Sequence, residues 1–330
     1  MAKVAVVIPF FQREKGILLR AVQSVFAQSF VDFHVVIVSD GSPVCAKDEL
    51  KSYIDRKEPR ITIIEQPNAG PGAARNRGLD SLPADTEYVA FLDSDDEWFA
   101  GHLDRAVAAL DQGYDFYFSD FYFSDFKEKS AFARAGKIPL NEHRKLSSTE
   151  DLYEYNGDMA DQILVRGNVI GTSNVVYRYR THRRLRFRTE FFNGQDYLFW
   201  LDFFASGGRA VFSPAIDCNC GLGVNIFAGA GWNTDRSLDR LRNELKLWTA
   251  VGSIYKLAGM RKAANAKRIR RIRGSIVRDL MHRIVHRKTL QLRILADIIC
   301  IDPVILLVIP AAFGSIMMEQ LSGRIRPRSK

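Results

Sequence analysis

"EYVAFLDSDDEWF", residues 87–99, runs four apolar residues of strand character, Val89 to Leu92, directly into Asp93, Asp95, Asp96 and Glu97. No basic residue relieves that charge. Ending a buried strand this way costs free energy through desolvation and self-repulsion. A helix beginning near Trp98, capped by Ser94, Asp95 or Asp96, would account for one acid. The others need a partner. Asp93 and Asp95 are two apart, so in strand geometry their side chains share a face. Two carboxylates without a neighbouring His or Cys are hard oxygen donors suited to Mg²⁺ or Mn²⁺. For the pair taken alone, capping and metal binding both stand.

Upstream, "VAVVIPF" (4–10), "FHVVIVSDGS" (33–42) and "RITIIEQPNAGPG" (60–72) read as three more strands, each ending in a polar or Gly/Pro loop. Ile17, Leu18, Ala21, Val22, Val25 and Phe26 follow helical spacing between the first two, and "AARNRGLDSL" suggests a short helix after the third. Near-continuous Val/Ile strands alternating with helices predict an α/β fold, a mostly parallel sheet flanked by helices. Such sheets bind ligands beyond the carboxyl ends of their strands, where "SDGS", "NAGPGAARN" and "DSDD" all fall. Further on, "DFYFSDFYFSDF" (115–126) and "GNVIGTSNVVYR" (167–178) read as strands, and "FFNGQDYLFWLDFFASG" (191–207) as a loop entering a helix. The basic "RYRTHRRLRFR" (178–188) reads either as a phosphate contact or as a solvated loop.

The chain has 330 residues, 47% of them hydrophobic, enough for a packed core. Its net charge of +9 is not spread evenly. Residues 1–260 carry 31 Lys and Arg against 34 Asp and Glu, whereas residues 261–293 carry 12 against 1. The body is therefore slightly acidic, and the basic segment serves a separate purpose. Within it Ile269, Ile272, Ile276, Leu280 and Ile284 recur at helical spacing, which predicts a basic amphipathic helix. "PVILLVIPAAFGSIMM" (303–318) has no charge, but as a helix it spans only ~24 Å. Asp297 and Asp302 block its extension backwards and Pro310 interrupts it, so an interfacial or re-entrant segment is expected. Cys218 and Cys220 are close but lack the second pair of a typical zinc site, and the four scattered cysteines suggest a reducing compartment. The opening "MAKVAVVIPFFQREKG" does not read as a signal peptide.

Neither G-x-x-x-x-G-K-[ST] nor a G-x-G-x-x-G after the first strand occurs, which argues against ATPase, kinase and dinucleotide readings. "VVIPFFQRE", "VSDGS", "NAGPGAARNRG", "FLDSDDEW" and "NGQDYLFWL", in this order, resemble the family 2 inverting glycosyltransferases with the GT-A fold. The resemblance covers about residues 3–215. It implies that Pro9 and Asp40 hold the nucleobase, that Asn68 and Arg75 line the donor site, and that Asp93 and Ser94 lie beside the donor. It further implies Asp95 as the direct ligand of Mg²⁺ or Mn²⁺, with Asp93 beside it, and Asp196 as general base, next to Gln195 where the family usually has glutamate. Read from the residues alone, Asp196 is an N-cap for the following helix. No Q-x-x-R-W motif occurs, so addition of a single sugar is implied. The opening residues and overall length are most similar to exopolysaccharide β-1,3-glucosyltransferases of succinoglycan-type pathways.

The organisation expected is a glycosyltransferase domain over 1–255, with a nucleotide-binding half (1–125) and an acceptor-binding half (126–255). A helical membrane-associating tail follows over 256–330. The resemblance implies UDP-glucose as donor and a lipid-linked oligosaccharide as acceptor. The tail points to an anionic surface at the cytoplasmic face of a bacterial inner membrane. Competing readings are transfer of a different sugar to another surface polysaccharide, a nucleotidyltransferase, and a nucleic-acid-binding protein using the Arg-rich segment. The apolar run beside that segment favours membrane over nucleic acid.

Overall fold

A computed structural model describes residues 2–125, 128–146, 151–221, 223 and 229–308. The chain forms two compact units, residues 1–190 with 195–225, and residues 191–194 with 226–330.

The first unit is built on one sheet. Its strands in chain order are β1 (Val4–Phe10), β2 (Phe33–Asp40), β3 (Ile61–Gln66), β4 (Tyr88–Phe91), β5 (Glu97–Trp98), β6 (Phe116–Phe123), β7 (Arg144–Lys145), β8 (Tyr153–Glu154), β9 (Val175–Arg178) and β10 (Ala210–Cys220). The spatial order is β3-β2-β1-β4-β9-β6-β10-β8-β7, with β5 pairing β10. The first four neighbours are parallel, as their continuous Val/Ile runs require, and every residue of β1 is buried. The register Phe10↔Ser39 and Asp40↔Gln66 brings the carboxyl ends of β1, β2 and β3 to one edge. β9 runs antiparallel between β4 and β6, and β10 runs parallel to β6.

The acid run does not cap a helix at Trp98. Glu97 and Trp98 instead pair antiparallel with Asn219 and Cys218, and the next helix begins at His102 after Gly101. β10 reaches this pairing through two register shifts, at Ser213/Ile216 and Ile216/Cys218. Such bulges bend a strand and re-aim its end. "GNVIGTSNVVYR" is strand only over Val175–Arg178, and a 3₁₀ turn at Thr172–Asn174 precedes it. In the basic segment, Arg186 pairs with Asp80, Arg188 with Asp202, and Arg178 donates to the carbonyl of Tyr114 at 3.0 Å. Those three arginines brace the unit.

In the second unit, helices span Ser237–Ile254, Gly259–Val285 and Leu292–Ile301. The basic helix is where periodicity put it, but Ile272, Ile276 and Leu280 of its apolar stripe are buried. The helix packs along Ser237–Ile254. Asn265 donates to the Trp248 carbonyl at 3.0 Å, and Arg268 lies over the Trp248 ring. Asp279 joins Ser237 (2.5 Å) to Arg283 (2.6 Å) in the interior. Asp302 receives Arg273 in a two-pronged pair. Ile272, Ile276 and Leu280 are thus core of this unit, whereas Ile269 is half-buried and Ile284 is exposed. Exposed Arg270, Arg271 and Arg278 remain on the outer side. Among the described residues no helix is long and apolar enough to cross a membrane. Most of 303–318 lies outside the described residues.

Candidate active site

Asp40, at the end of β2, is buried and accepts the N–H groups of Ala69 and Gly70 and the side-chain amide of Gln66, all at 2.8 Å. The Asn68 side chain returns a bond to the Asp40 carbonyl at 2.9 Å. Asp40 and Asn68 therefore shape the loop that leads into the helix Pro71–Asp80. Pro9 is buried within β1, one residue before its end. Ser94 is buried and accepts from the Gln12 side-chain amide at 3.1 Å, which ties the acid turn to the end of β1.

The helix Pro71–Asp80 carries Arg75 inward. Its guanidinium pairs with Asp93, and its Nε is buried with no partner among the described residues. Asn76, the next residue, pins the chain at Phe187 by a reciprocal pair of bonds, 2.8 and 2.7 Å. Phe187 in turn lies against the Arg75 guanidinium, 5.2 Å away.

Asp95 accepts the Gly223 N–H at 2.7 Å. A Cβ at Gly223 would fall 2.6 Å from that carboxylate, so the approach needs glycine. Burial and then the charge of Asp93 raise the Asp95 carboxyl above its ordinary value. Asp96 is more deeply buried, and desolvation followed by the charges of Asp93 and Asp95 raises it further. Its two oxygens receive Ser173 (2.5 Å) and the Gly221 N–H (2.8 Å).

Ser173 is a residue the sequence reading missed. Its hydroxyl accepts the Asp93 N–H at 2.9 Å while donating to Asp96, and its carbonyl accepts from Trp98 Nε1 at 2.6 Å. One side chain thus holds both ends of the acid turn. The only sequence signal was a small polar residue inside a segment read as strand.

Asp196 lies within the first turn of the helix Gln195–Ala205, past the capping position. Burial raises its carboxyl, the Tyr197 N–H and then the Arg75 charge pull it part of the way back, and Asp93 pushes it up slightly. Arg75 therefore acts on the acid turn and on Asp196 at once. Gln195 packs onto the helix Pro71–Asp80 at Gly72, where a Cβ would fall 2.2 Å from its Oε1.

Three carboxylates within four residues, faced by one guanidinium, leave surplus negative charge, and Asp93 and Asp95 are both partly exposed. An all-oxygen donor set of this kind fits Mg²⁺ or Mn²⁺. Among the described residues, a different group has ligand atoms that converge within 4.8 Å, Asp96 with Cys218 and Cys220.

The family model for glycosyl transferase family 2 matches residues 5–160. The succinoglycan biosynthesis protein ExoW of Rhizobium meliloti is 35% identical over 299 residues, covering 82% of this chain and 90% of that protein. The GalNAc(5)-diNAcBac-PP-undecaprenol beta-1,3-glucosyltransferase of Campylobacter jejuni is 32% identical over 125 residues, 36% of this chain and 38% of that protein. Among solved structures, S. aureus TarS 1-349 in complex with UDP-GlcNAc superposes with a TM-score of 0.57 at 17% identity, covering 84% of this chain and 79% of that one. The mannosyltransferase PcManGT of Pyrobaculum calidifontis, in complex with GDP-Man and Mn²⁺, gives 0.55 at 14% identity, covering 98% and 88%. At such identities these two structures show a shared fold, GT-A.

Proposed function

Because this chain belongs to glycosyl transferase family 2, we propose that it is an inverting enzyme moving one sugar, glucose from UDP-glucose, onto a lipid-linked oligosaccharide during exopolysaccharide synthesis. The observation that carries the reading is the placement of Arg75 beside Asp93, with its charge acting also on Asp196. Donor and acceptor chemistry need opposite things, a stabilised leaving group and a base for a hydroxyl. This arrangement supplies both within one cluster. The names of the Rhizobium and Campylobacter relatives support the sugar, pathway and acceptor.

Asp196 takes the proton of the acceptor hydroxyl. Burial makes it a stronger base than an exposed aspartate. Arg75, held by Asp93 and by the Phe187 face, supplies positive charge for the departing diphosphate. Asp95, with Asp93, would hold Mg²⁺ or Mn²⁺, which would supply positive charge at the leaving group. The loop shaped by Asp40 and Asn68 seats the nucleoside, with Pro9 at the end of β1 and Ser94 beside the donor.

Asp196→Asn is expected to cut turnover at least ~100-fold, the scale of general-base catalysis, with Mn²⁺-dependent UDP binding unchanged. Because the carboxyl is raised, the wild-type turnover rate should fall with falling pH above the ordinary aspartate range, and that limb should vanish in the variant. Near-normal turnover in Asp196→Asn would return this residue to a helix-start role.

We also propose that the basic face of the helix Gly259–Val285 rests on an anionic membrane on its cytoplasmic side. Each cation near such a leaflet contributes about 1 kcal/mol. Reversing Arg270, Arg271 and Arg278 to Glu should abolish co-sedimentation with anionic vesicles and leave UDP binding intact. Equal sedimentation of both proteins would count against it.

A further inference from the structure

We propose that Asp96, Cys218 and Cys220 form a second cation site, selective for a thiophilic divalent ion of the zinc class and separate from the oxygen donors Asp93 and Asp95. Cys218 and Cys220 are two apart on β10, so their side chains leave the strand on one face. The two register shifts and the pairing of Cys218 with Trp98 deliver that face to Asp96, more than a hundred residues earlier. One ligand atom from each residue lies within 4.8 Å of the other two. In a tetrahedral zinc site with the usual bond lengths, neighbouring donors sit roughly 3.5–3.8 Å apart. Side-chain rotation can close the remaining ångström.

The donor set selects the ion. Two sulfurs and one carboxylate suit Zn²⁺ or Cd²⁺ and disfavour Mg²⁺ and Mn²⁺. Three protein ligands leave a fourth position for water. Cys218 is fully buried and Cys220 partly exposed, so an ion enters from the Cys220 side. The carboxylate is oriented in advance by Ser173 and the Gly221 N–H, the kind of outer support that metal ligands receive. Binding forms two metal–sulfur bonds and one metal–oxygen bond, and each thiol releases its proton to solvent. A bound ion ties the end of β10 to the acid turn beneath Asp95. The proposal stands on this geometry whether or not the sugar-transfer reading holds.

The test is a titration of the reduced full-length protein with Cd²⁺ in excess Mn²⁺. A thiolate-to-metal ultraviolet band should saturate with one Cd²⁺ per chain and release about two protons. The exposed thiols Cys45 and Cys300 are the control, and C45S/C300S should keep both signals. C218S/C220S should lose them, and Asp96→Asn should weaken binding at least ~10-fold. Should C218S/C220S fail to fold, protection is read in C45S/C300S, where one equivalent of Cd²⁺ should shield Cys220 from maleimide. A band that survives C218S/C220S, equal competition by Mn²⁺, or unaltered alkylation in the presence of Cd²⁺ each overturns the proposal.

Discussion

Ser173→Ala is the sharpest test of how the acid turn is built. The serine is about 1% exposed, and its hydroxyl makes two bonds at once, accepting from the Asp93 N–H (2.9 Å) and donating to Asp96 (2.5 Å). Removing it orphans a backbone donor and strips a buried carboxylate of one of its hydrogen-bond partners. A hydrogen bond to a charged group is worth ~1.5–3 kcal/mol, and an orphaned buried N–H costs ~1–3 kcal/mol. A water entering the small space left by the hydroxyl would recover part of this, so a loss of about 3 kcal/mol is expected. Urea denaturation of the full chain reads the loss as a lower midpoint for the sheet-bearing unit. Since Asp93 and Asp95 lie on the same turn, Mn²⁺-dependent UDP affinity should fall at least ~10-fold, a shift of ~1.4 kcal/mol. A stability change under ~1 kcal/mol together with unaltered UDP affinity would show that the turn holds its shape without this hydroxyl.

Asp217 tests a buried network on the neighbouring strand. Burial alone would raise its carboxyl, but hydrogen bonds and charge from His102 and Arg105 outweigh this and lower it to about 2. Its folded value is depressed, so its stabilisation is present above about pH 4 and lost as pH falls through about 2, amounting to ~2 kcal/mol at neutrality. Asp217→Asn should cost about 3 kcal/mol at pH 7 and flatten the acid limb of stability measured by thermal melting at stepped pH. An unchanged acid limb would remove Asp217 as its source. Gly72→Ala should cost about 1–3 kcal/mol, because the new methyl would fall 2.2 Å from Oε1 of the buried Gln195, which must shift. Moving Gln195 displaces the turn that carries Asp196, so turnover should drop at least ~10-fold with UDP affinity intact, and parallel loss of both would refute this division.

What the sequence disclosed was local. Continuous Val/Ile runs located β1 to β4, because a strand buried on both faces, as β1 and β4 are, has little freedom in composition, whereas the edge strand β3 has no fully buried residue. The surplus acids after β4 were legible for the same reason, since a cap needs only one. Partners across the chain were harder. Arg75 and Asp196 came to the site through motif resemblance, since no local rule joins a helix at 71–80 to a turn at 195. Glu97 and Trp98 were misread because their strand exists only through pairing with Asn219 and Cys218. Ser173 and the third donor beside Cys218 and Cys220 were invisible for that reason too. The basic helix shows the limit most clearly. Its 3.6-residue period states that one face is apolar, not what covers it, and positive flanks made a bilayer the natural cover. Residues 237–254 carry their own apolar positions, Leu238, Leu241, Leu245, Trp248 and Val251, all buried, and this helix packs along the basic one. Burying a side chain of this size is worth about 1.5–3 kcal/mol whichever apolar surface receives it, so the covalently attached helix, already at high local concentration, wins over a membrane that must be found. Arg270, Arg271 and Arg278 are exposed among the described residues, and the proposed contact with an anionic surface rests on them.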